Sequence, residues 1–265
     1  MRITWILLAA LAAGAAQAAD KPSVTQTTIK SADGTEVPVS VATPPGKGPF
    51  PPVLFIHAKR GIDENEQKYI ADLAAQGFLV VMPDWQSGRM IERWPSEHNP
   101  ETEMDVEAGM DYLMKLPNAC KGPVGIVGKS RGPYYAIRLA AKRGKDIAAI
   151  VSYYGHMQNP NAPEPDQLFR VAPEIMQINT PMLFLIGEED FELRRFVGGR
   201  AFYALWERGV PVEYQVYPFA RRAFDFRADQ GPEEKTAARH ARQRAREWLA
   251  KWMKLDSQIR CAKNQ

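Results

Sequence analysis

The sequence predicts an α/β fold in which helices cover both faces of a mostly parallel central sheet. Three observations lead to this prediction. Short apolar runs recur along the chain, stretches with helical spacing separate them, and the composition is 45% hydrophobic and 25% charged, as in globular proteins that bury a core. Because strands that alternate with helices form parallel sheets, we expect the 265 residues to build one large domain.

The first eighteen residues have the pattern of a secretory signal peptide. Arg2 precedes an apolar, alanine-rich run, and the small residues Ala16 and Ala18 mark a cleavage site after Ala18. The alternative is a retained membrane anchor, but the run is short and no second hydrophobic stretch follows it. We therefore expect a signal peptide at 1–18, a single domain at 19–265, and a secreted or periplasmic protein without membrane attachment after cleavage.

Charge and cysteine content narrow the function classes. Removal of 1–18 takes away one Arg and no acid, so 34 basic and 31 acidic residues become 33 and 31, and the net charge falls from +3 to +2. This balance predicts neither a nucleic-acid partner nor a membrane surface. Cys120 and Cys261 permit one disulfide in an oxidising compartment. Neither has metal-ligand spacing or a partner His nearby, so we expect neither a catalytic nor a zinc role for them. No cofactor or metal is implied.

The predicted elements follow one another in a regular order. An N-terminal hairpin is predicted at 23–30 and 36–42, with its turn at Asp33-Gly34. Apolar runs that need burial on both faces predict core strands at 53–57, 78–82, 124–127, 147–153, 182–186 and 212–217. Helical spacing predicts helices at 64–76, 101–115, 134–142, 192–208 and 233–254. The Pro- and Asn-rich stretch 155–174 is expected to form a surface loop beside a site.

The segment Gly128-Lys129-Ser130-Arg131-Gly132 has the G-x-S-x-G pattern of a nucleophile turn, with a predicted strand before it and a helix after it. Small residues are needed at both ends because the serine backbone is strained and the helix passes close to the strand. The turn would present the Ser130 hydroxyl at the positive end of the following helix, where an oxyanion is stabilised. This setting indicates a serine nucleophile.

With its supporting segments, the sequence resembles the dienelactone hydrolase family of α/β-hydrolases over nearly the whole mature chain. These segments lie at 54–57 with Gly61, 82–84, 128–132, 153–155, 185–190 and 217–220. The resemblance implies the α/β-hydrolase fold, hydrolysis of an ester or lactone without a cofactor, and the order nucleophile, acid, histidine. It places Ser130 at the nucleophile position and Asp190 at the acid position.

The family pattern breaks at the histidine, whose position falls on Arg222. An arginine keeps its proton and cannot be a general base. The glutamate that many members hold after the first core strand is also absent, because Ala58 stands there. Among the four histidines, His156 is the candidate substitute base, since it follows a strand at the edge where open α/β sheets bind ligands. The alternative is that His156 begins an exposed loop; His57 is expected to be structural.

Backbone N–H groups of Arg131 and of the Ala58-Lys59 segment are expected to bind the oxyanion. Six cations lie on three loops that should converge, and they favour an anionic substrate because guanidinium groups bind carboxylate or phosphate through two hydrogen bonds. These cations are Lys59, Arg60, Lys129, Arg131, Arg221 and Arg222. The alternative is that several point away or pair with nearby acids, in particular Arg222 with Asp190.

Two functions therefore remain open. The first is a serine hydrolase with an incomplete triad, which cleaves an ester or lactone bond in a small molecule. The cations favour an anionic molecule as this substrate. The second is a non-catalytic periplasmic binding or accessory protein that uses the cationic cleft as an anion receptor. The sequence leaves the substrate and the oligomeric state open.

Overall fold

The computed structural model describes residues 21–163 and 169–261. Its strands are β1 (Ser23–Lys30), β2 (Glu36–Thr43), β3 (Pro52–Ile56), β4 (Leu79–Pro83), β5 (Val124–Lys129), β6 (Ile147–Tyr153), β7 (Met182–Glu189) and β8 (Val212–Arg221). Its α-helices are α1 (Glu64–Ala75), α2 (Thr102–Lys115), α3 (Gly132–Arg143), α4 (Glu192–Glu207) and α5 (Pro232–Trp252). The proposed signal peptide and its cleavage site lie outside the described residues. Within those residues, no helix has the length and apolar character needed to cross a membrane.

The strands form one sheet in the order β1-β2-β4-β3-β5-β6-β7-β8. β1 and β2 form the antiparallel N-terminal hairpin, and β2 also pairs antiparallel with β4. All other neighbours run parallel. The prediction of a mostly parallel sheet with helices on both faces is therefore confirmed.

Two hydrophobic clusters cover the two faces of the sheet. One packs residues of α2, α3 and α4 against the strands, and the other packs α1 and α5 against the opposite face. All five residues of β3 are buried, which explains why its sequence is continuously apolar rather than alternating.

Several element boundaries differ from the sequence prediction, and three of them lie near Ser130, Asp190 and Arg222. β7 and β8 continue to Glu189 and Arg221, beyond the predicted ends at 186 and 217. β8 is the edge strand, and an edge strand tolerates a proline such as Pro218. α3 begins at Gly132, two residues before the predicted start, because the first helical turn accommodates Pro133. The extended strands bring Asp190 and Arg222 just past the carboxyl edge of the sheet.

Cys120 and Cys261 form a disulfide whose Cα atoms are 6.4 Å apart. It joins the tail after α5 to the loop before β5, at the amino-terminal edge of the strands. The loop predicted at 155–174 is described only outside 164–168. In its described part, Ala172 N–H donates to Met157 O at 2.7 Å and a short 3₁₀ helix follows at Pro173–Met176.

Candidate active site

Ser130 lies on a sharp turn between β5 and α3 and has a left-handed backbone conformation, with φ of 54°. Its N–H donates to Tyr153 O at 3.0 Å, and its carbonyl accepts from His156 N–H at 2.8 Å. A Cβ atom on Gly132 would lie 2.2 Å from Ile56 O, so only glycine allows α3 to pass this close to β3. These contacts hold the serine at the carboxyl edge of the sheet.

The Arg222 guanidinium lies between the hydroxyl of Ser130 and the carboxylate of Asp190. Its Nη2 donates to Ser130 Oγ at 2.8 Å, and its Nη1 contacts the two Asp190 oxygens at 3.1 and 3.0 Å. The Asp190 side chain is fully buried and also accepts from Phe191 N–H at 2.7 Å. The structure thus brings together the three residues that the sequence placed at the nucleophile, acid and histidine positions.

The direction of these hydrogen bonds limits the chemistry of Ser130. Arginine carries only donors, so Ser130 Oγ is the acceptor in its contact with Arg222. Among the described contacts, no acceptor faces the Ser130 hydroxyl hydrogen. The arrangement orients the oxygen but offers no route for its proton.

His156 is buried rather than exposed, which corrects the alternative that it begins an exposed loop. Burial lowers its pKa well below the ordinary value, and the positive charges of Arg194, Arg222, Arg131 and Lys59 lower it further. Its ring is therefore neutral at physiological pH and can accept a proton only weakly. No hydrogen bond to Ser130 Oγ is described for this ring, so its assignment as substitute base stays a prediction.

His57 has the structural surroundings that the sequence indicated. It is fully buried, stacks on Trp85 with ring centroids 4.9 Å apart, and its Nδ1 lies 2.8 Å from Ala58 O. Burial lowers the pKa of His57, so it packs as a neutral ring.

Three of the six predicted cations pair with acids away from Ser130. Arg60 contacts Asp63 and Glu66, Lys129 contacts Asp225, and Arg221 contacts Glu234 and Asp229. The expectation that all six converge on a ligand is wrong for these three, and the alternative, that several of the cations pair with acids, is the one that the structure shows.

The Lys129 pair is buried and secures the loop that carries Arg222. Lys129 Nζ lies 2.6 Å from Asp225 Oδ2 and 4.0 Å from the centre of the Tyr69 ring, and the side chains of both ionic partners are almost fully buried. Tyr154 donates its hydroxyl to the other Asp225 oxygen at 2.7 Å. The residue before Ser130 is thereby tied to Asp225, three residues after Arg222.

Lys59, Arg131 and Arg194 form a second group of cations near Ser130. In the described residues none of the three forms an ion pair, and Arg131 is only 2% exposed. Burial lowers the pKa of Arg194 to about 10, and the neighbouring charges of Arg222 and Arg131 contribute to the shift. Arg194 lies in the first turn of α4, four residues after Asp190, and it is not among the six cations that the sequence indicated.

The backbone N–H groups that the sequence predicts to bind an oxyanion are not engaged within the described part of the fold. The backbone N–H groups of Ala58, Lys59 and Arg131 take part in none of the described hydrogen bonds, while Ala58 O and Lys59 O accept from Gly61 N–H and Trp94 N–H. The loop is therefore fixed through its carbonyl groups, and its N–H groups remain available to a ligand.

Other parts of the described chain are separate from this edge. A cavity of about 770 Å³ lies beside the disulfide, lined by residues that include Phe50, Gly77 and Cys120, and none of the residues around Ser130 borders it. No group of three or more His, Cys, Asp or Glu side chains in the described residues is arranged to hold a metal ion.

Comparison with known proteins gives a consistent picture of family and fold. Residues 37–253 match the dienelactone hydrolase family. The chain is 26% identical over 206 residues to Protein usf of Aquifex pyrophilus, which covers 72% of this chain and 83% of that protein. The solved structure of a bacterial heroin esterase superposes with a TM-score of 0.69 at 18% identity, over 89% of this chain and 87% of the other.

A dienelactone hydrolase-like promiscuous phosphotriesterase from metagenomic libraries superposes with a TM-score of 0.65 at 17% identity, over 86% of this chain and 98% of the other. At these identities the structural likeness establishes the α/β-hydrolase fold alone.

Proposed function

The chain belongs to the dienelactone hydrolase family, and we propose that it uses this hydrolase scaffold to bind a small anionic carbonyl compound beside Ser130, with little or no turnover. One observation carries the proposal: the Arg222 guanidinium donates to Ser130 Oγ and to the Asp190 carboxylate. By the resemblance of the segment at 217–222, Arg222 stands where family members carry histidine. A guanidinium at this place favours binding over proton transfer.

The Ser130 hydroxyl lacks the base that a serine nucleophile requires. Attack on a carbonyl carbon needs a base that takes the hydroxyl proton as the new C–O bond forms. Arg222 has no acceptor, so it holds Ser130 in place without activating it. A site without its base retains about 10³ to 10⁴-fold acceleration over water from the oxyanion hole and binding. We therefore expect slow hydrolysis that does not depend on Ser130.

The charges around Ser130 support an anionic ligand. The N–H groups of Arg131 and of the Ala58-Lys59 segment would bind a carbonyl or carboxylate oxygen at the N-terminus of α3. The side chains of Lys59 and Arg131 add positive charge without a described counter-ion. We place this activity outside the cytoplasm, on the signal-peptide pattern of residues 1–18.

A second candidate function is a serine hydrolase that cleaves an ester or lactone bond of an anionic substrate. The strained backbone of Ser130, with φ of 54°, favours it, since strain of this kind accumulates at functional sites. In this case His156, neutral because of its lowered pKa, would accept the proton.

Hydrolysis of p-nitrophenyl acetate by the wild type and by Arg222→His, Ser130→Ala and the Ser130→Ala/Arg222→His double variant separates the two functions. We expect the wild type and Ser130→Ala to have equal rates. Arg222→His supplies an imidazole between Ser130 and Asp190, so its rate should rise about hundredfold or more. The double variant should lose this gain, which would assign it to Ser130.

Arg222→Gln is the matched control, because it removes the guanidinium without supplying a base and should give no gain. A wild-type rate far above that of Ser130→Ala would contradict the binding proposal. If His156→Ala then abolished that rate, the serine hydrolase with His156 as base would be the correct function.

A further inference from the structure

Two arginines near Ser130 lie at helix N-termini, where the helix dipole repels positive charge. Arg131 is the residue that precedes α3, and Arg194 is the third residue of α4. A helix N-terminus carries a partial positive charge and stabilises anions, so acidic side chains are the favourable ones there. Neither arginine contributes to helix stability from this position.

Arg131 is also buried, Arg194 is partly buried, and no ion pair or side-chain hydrogen bond is described for either guanidinium. Arg131 is 2% exposed, and its Nε has no hydrogen-bond partner. Arg194 Nη1 is buried and has no partner either. A buried, unpaired charge destabilises a fold unless a hydrogen-bonding counter-ion joins it. The repulsion by two helix ends and the missing counter-ions point independently to an anion at this place.

The sheet topology brings the two side chains to the same region. Arg131 follows β5 and Arg194 follows β7, and β6 lies between these strands in the parallel sheet. The loop after β6 carries the buried His156, whose backbone N–H donates to Ser130 O at 2.8 Å. The positive charges of both arginines and of Lys59 act on the His156 ring. The cations therefore surround one small region next to the nucleophile turn.

We propose that Arg131 and Arg194, with Lys59, bind a phosphate group of the ligand whose carbonyl group lies at Ser130. This inference rests on the proposed function and names its ligand class, a small phosphorylated carbonyl compound. Asp190 pairs with Arg222, and none of the described ion pairs involves Lys59, Arg131 or Arg194. A carboxylate would neutralise one of them, whereas a phosphate monoester carries a charge of about −1.5 to −2 at pH 7 and presents three acceptor oxygens to guanidinium groups.

Isothermal titration calorimetry with phenyl phosphate and benzoate tests the inference on the full-length mature protein. We expect the wild type to bind phenyl phosphate at least about tenfold more tightly than benzoate, since a phosphate brings more negative charge and one more acceptor oxygen to the three cations than a carboxylate does. Arg194→Gln should lower the affinity for phenyl phosphate to about that of benzoate. Its ligand-free melting temperature should not fall, because the substitution removes a repelled cation from a helix N-terminus.

Arg195→Gln is the matched control, since Arg195 is the exposed neighbour on the same helical turn. It should leave the affinity for phenyl phosphate within about twofold of the wild type, because an exposed charge is screened by salt. A loss that Arg195→Gln shares, or a loss in Arg194→Gln that accompanies a lower melting temperature, would overturn the inference. Equal affinity of the wild type for both compounds would overturn it while leaving the proposed anion binding intact. Failure to bind either compound would overturn both.

Discussion

Glu66 is a buried carboxyl group near the cation of Lys129. Its side chain is fully buried in the first turn of α1, and Arg60 donates to its Oε2 at 2.5 Å. Burial, together with a hydrogen bond to Asp63, nevertheless raises the pKa of Glu66 from 4.5 to about 7. The cost of burying the charged form thus exceeds the attraction of Arg60, and Glu66 titrates within the physiological pH range.

This pKa shift makes the stability of the protein depend on pH. Between pH 4.5 and about 7 the folded state holds a proton on Glu66 that the unfolded state has lost, so the free energy of unfolding falls as the pH rises. Relative to Glu66→Gln, we expect the wild type to lose about 2–3 kcal/mol between pH 5 and pH 8. Urea denaturation of both proteins at the two pH values measures the difference. A difference that does not change with pH would contradict the raised pKa.

Residues that come together because they follow neighbouring strands could be predicted from the sequence. Contacts that depend on the direction of a side chain could not. Ser130, Asp190 and Arg222 each follow a strand of the parallel sheet, so their meeting at one edge could be predicted. Arg60 and Arg221 turn towards acids close to them in the sequence, and Lys129 turns towards Asp225, far along the chain. The sequence left open whether each cation pairs with an acid or faces a ligand, because that depends on the direction of its side chain. The available signal for Arg194 was its place in the first turn of the helix that begins two residues after Asp190.

The turn between β5 and α3 depends on a close contact between two elements. A Cβ atom on Gly132 would meet the backbone oxygen of Ile56 at 2.2 Å, and a backbone atom cannot move aside cheaply. We expect Gly132→Ala to push α3 away from β3 and to lower the free energy of unfolding by about 3 kcal/mol or more. Urea denaturation measures this loss.

Gly144 is the matched control at the other end of the same helix. Its φ is −57°, and a Cβ atom there would meet only Thr180 Oγ1, at 3.8 Å. Gly144→Ala should therefore stabilise the protein by up to about 1 kcal/mol. Equal effects of the two substitutions would show that the approach of α3 to β3 does not require glycine.

The limits of a strand could be predicted where its run of buried apolar residues has clear ends in the sequence. β6 was predicted with the observed limits because all but one of its residues are buried and Gly155 follows soon after its end. The end of β8 could not be predicted, since Pro218 argues against a central strand and the sequence does not reveal that β8 lies at the edge.

At the scale of the whole molecule, the disulfide lies at the amino-terminal ends of the parallel strands and the Ser130 region lies at their carboxyl ends. The Cys120–Cys261 bond joins residues 141 apart and fixes the tail after α5 beside the strand that leads to Ser130. We expect Cys120→Ser/Cys261→Ser to lower the free energy of unfolding by about 2–5 kcal/mol, because a long cross-link restricts the unfolded chain. For a chain of this size, the melting temperature should fall by roughly 5–15 °C.

Phenyl phosphate binding should not change in this double variant, because the cations that we propose to bind it lie at the carboxyl edge of the strands. Differential scanning calorimetry with and without dithiothreitol provides the control: the reductant should lower the melting temperature of the wild type and leave that of the double variant unchanged. Loss of phosphate affinity together with stability would instead show that the two edges are coupled through β5. The positions of Lys59, Arg131 and Arg194 would then depend on the disulfide as well as on the elements that carry these residues.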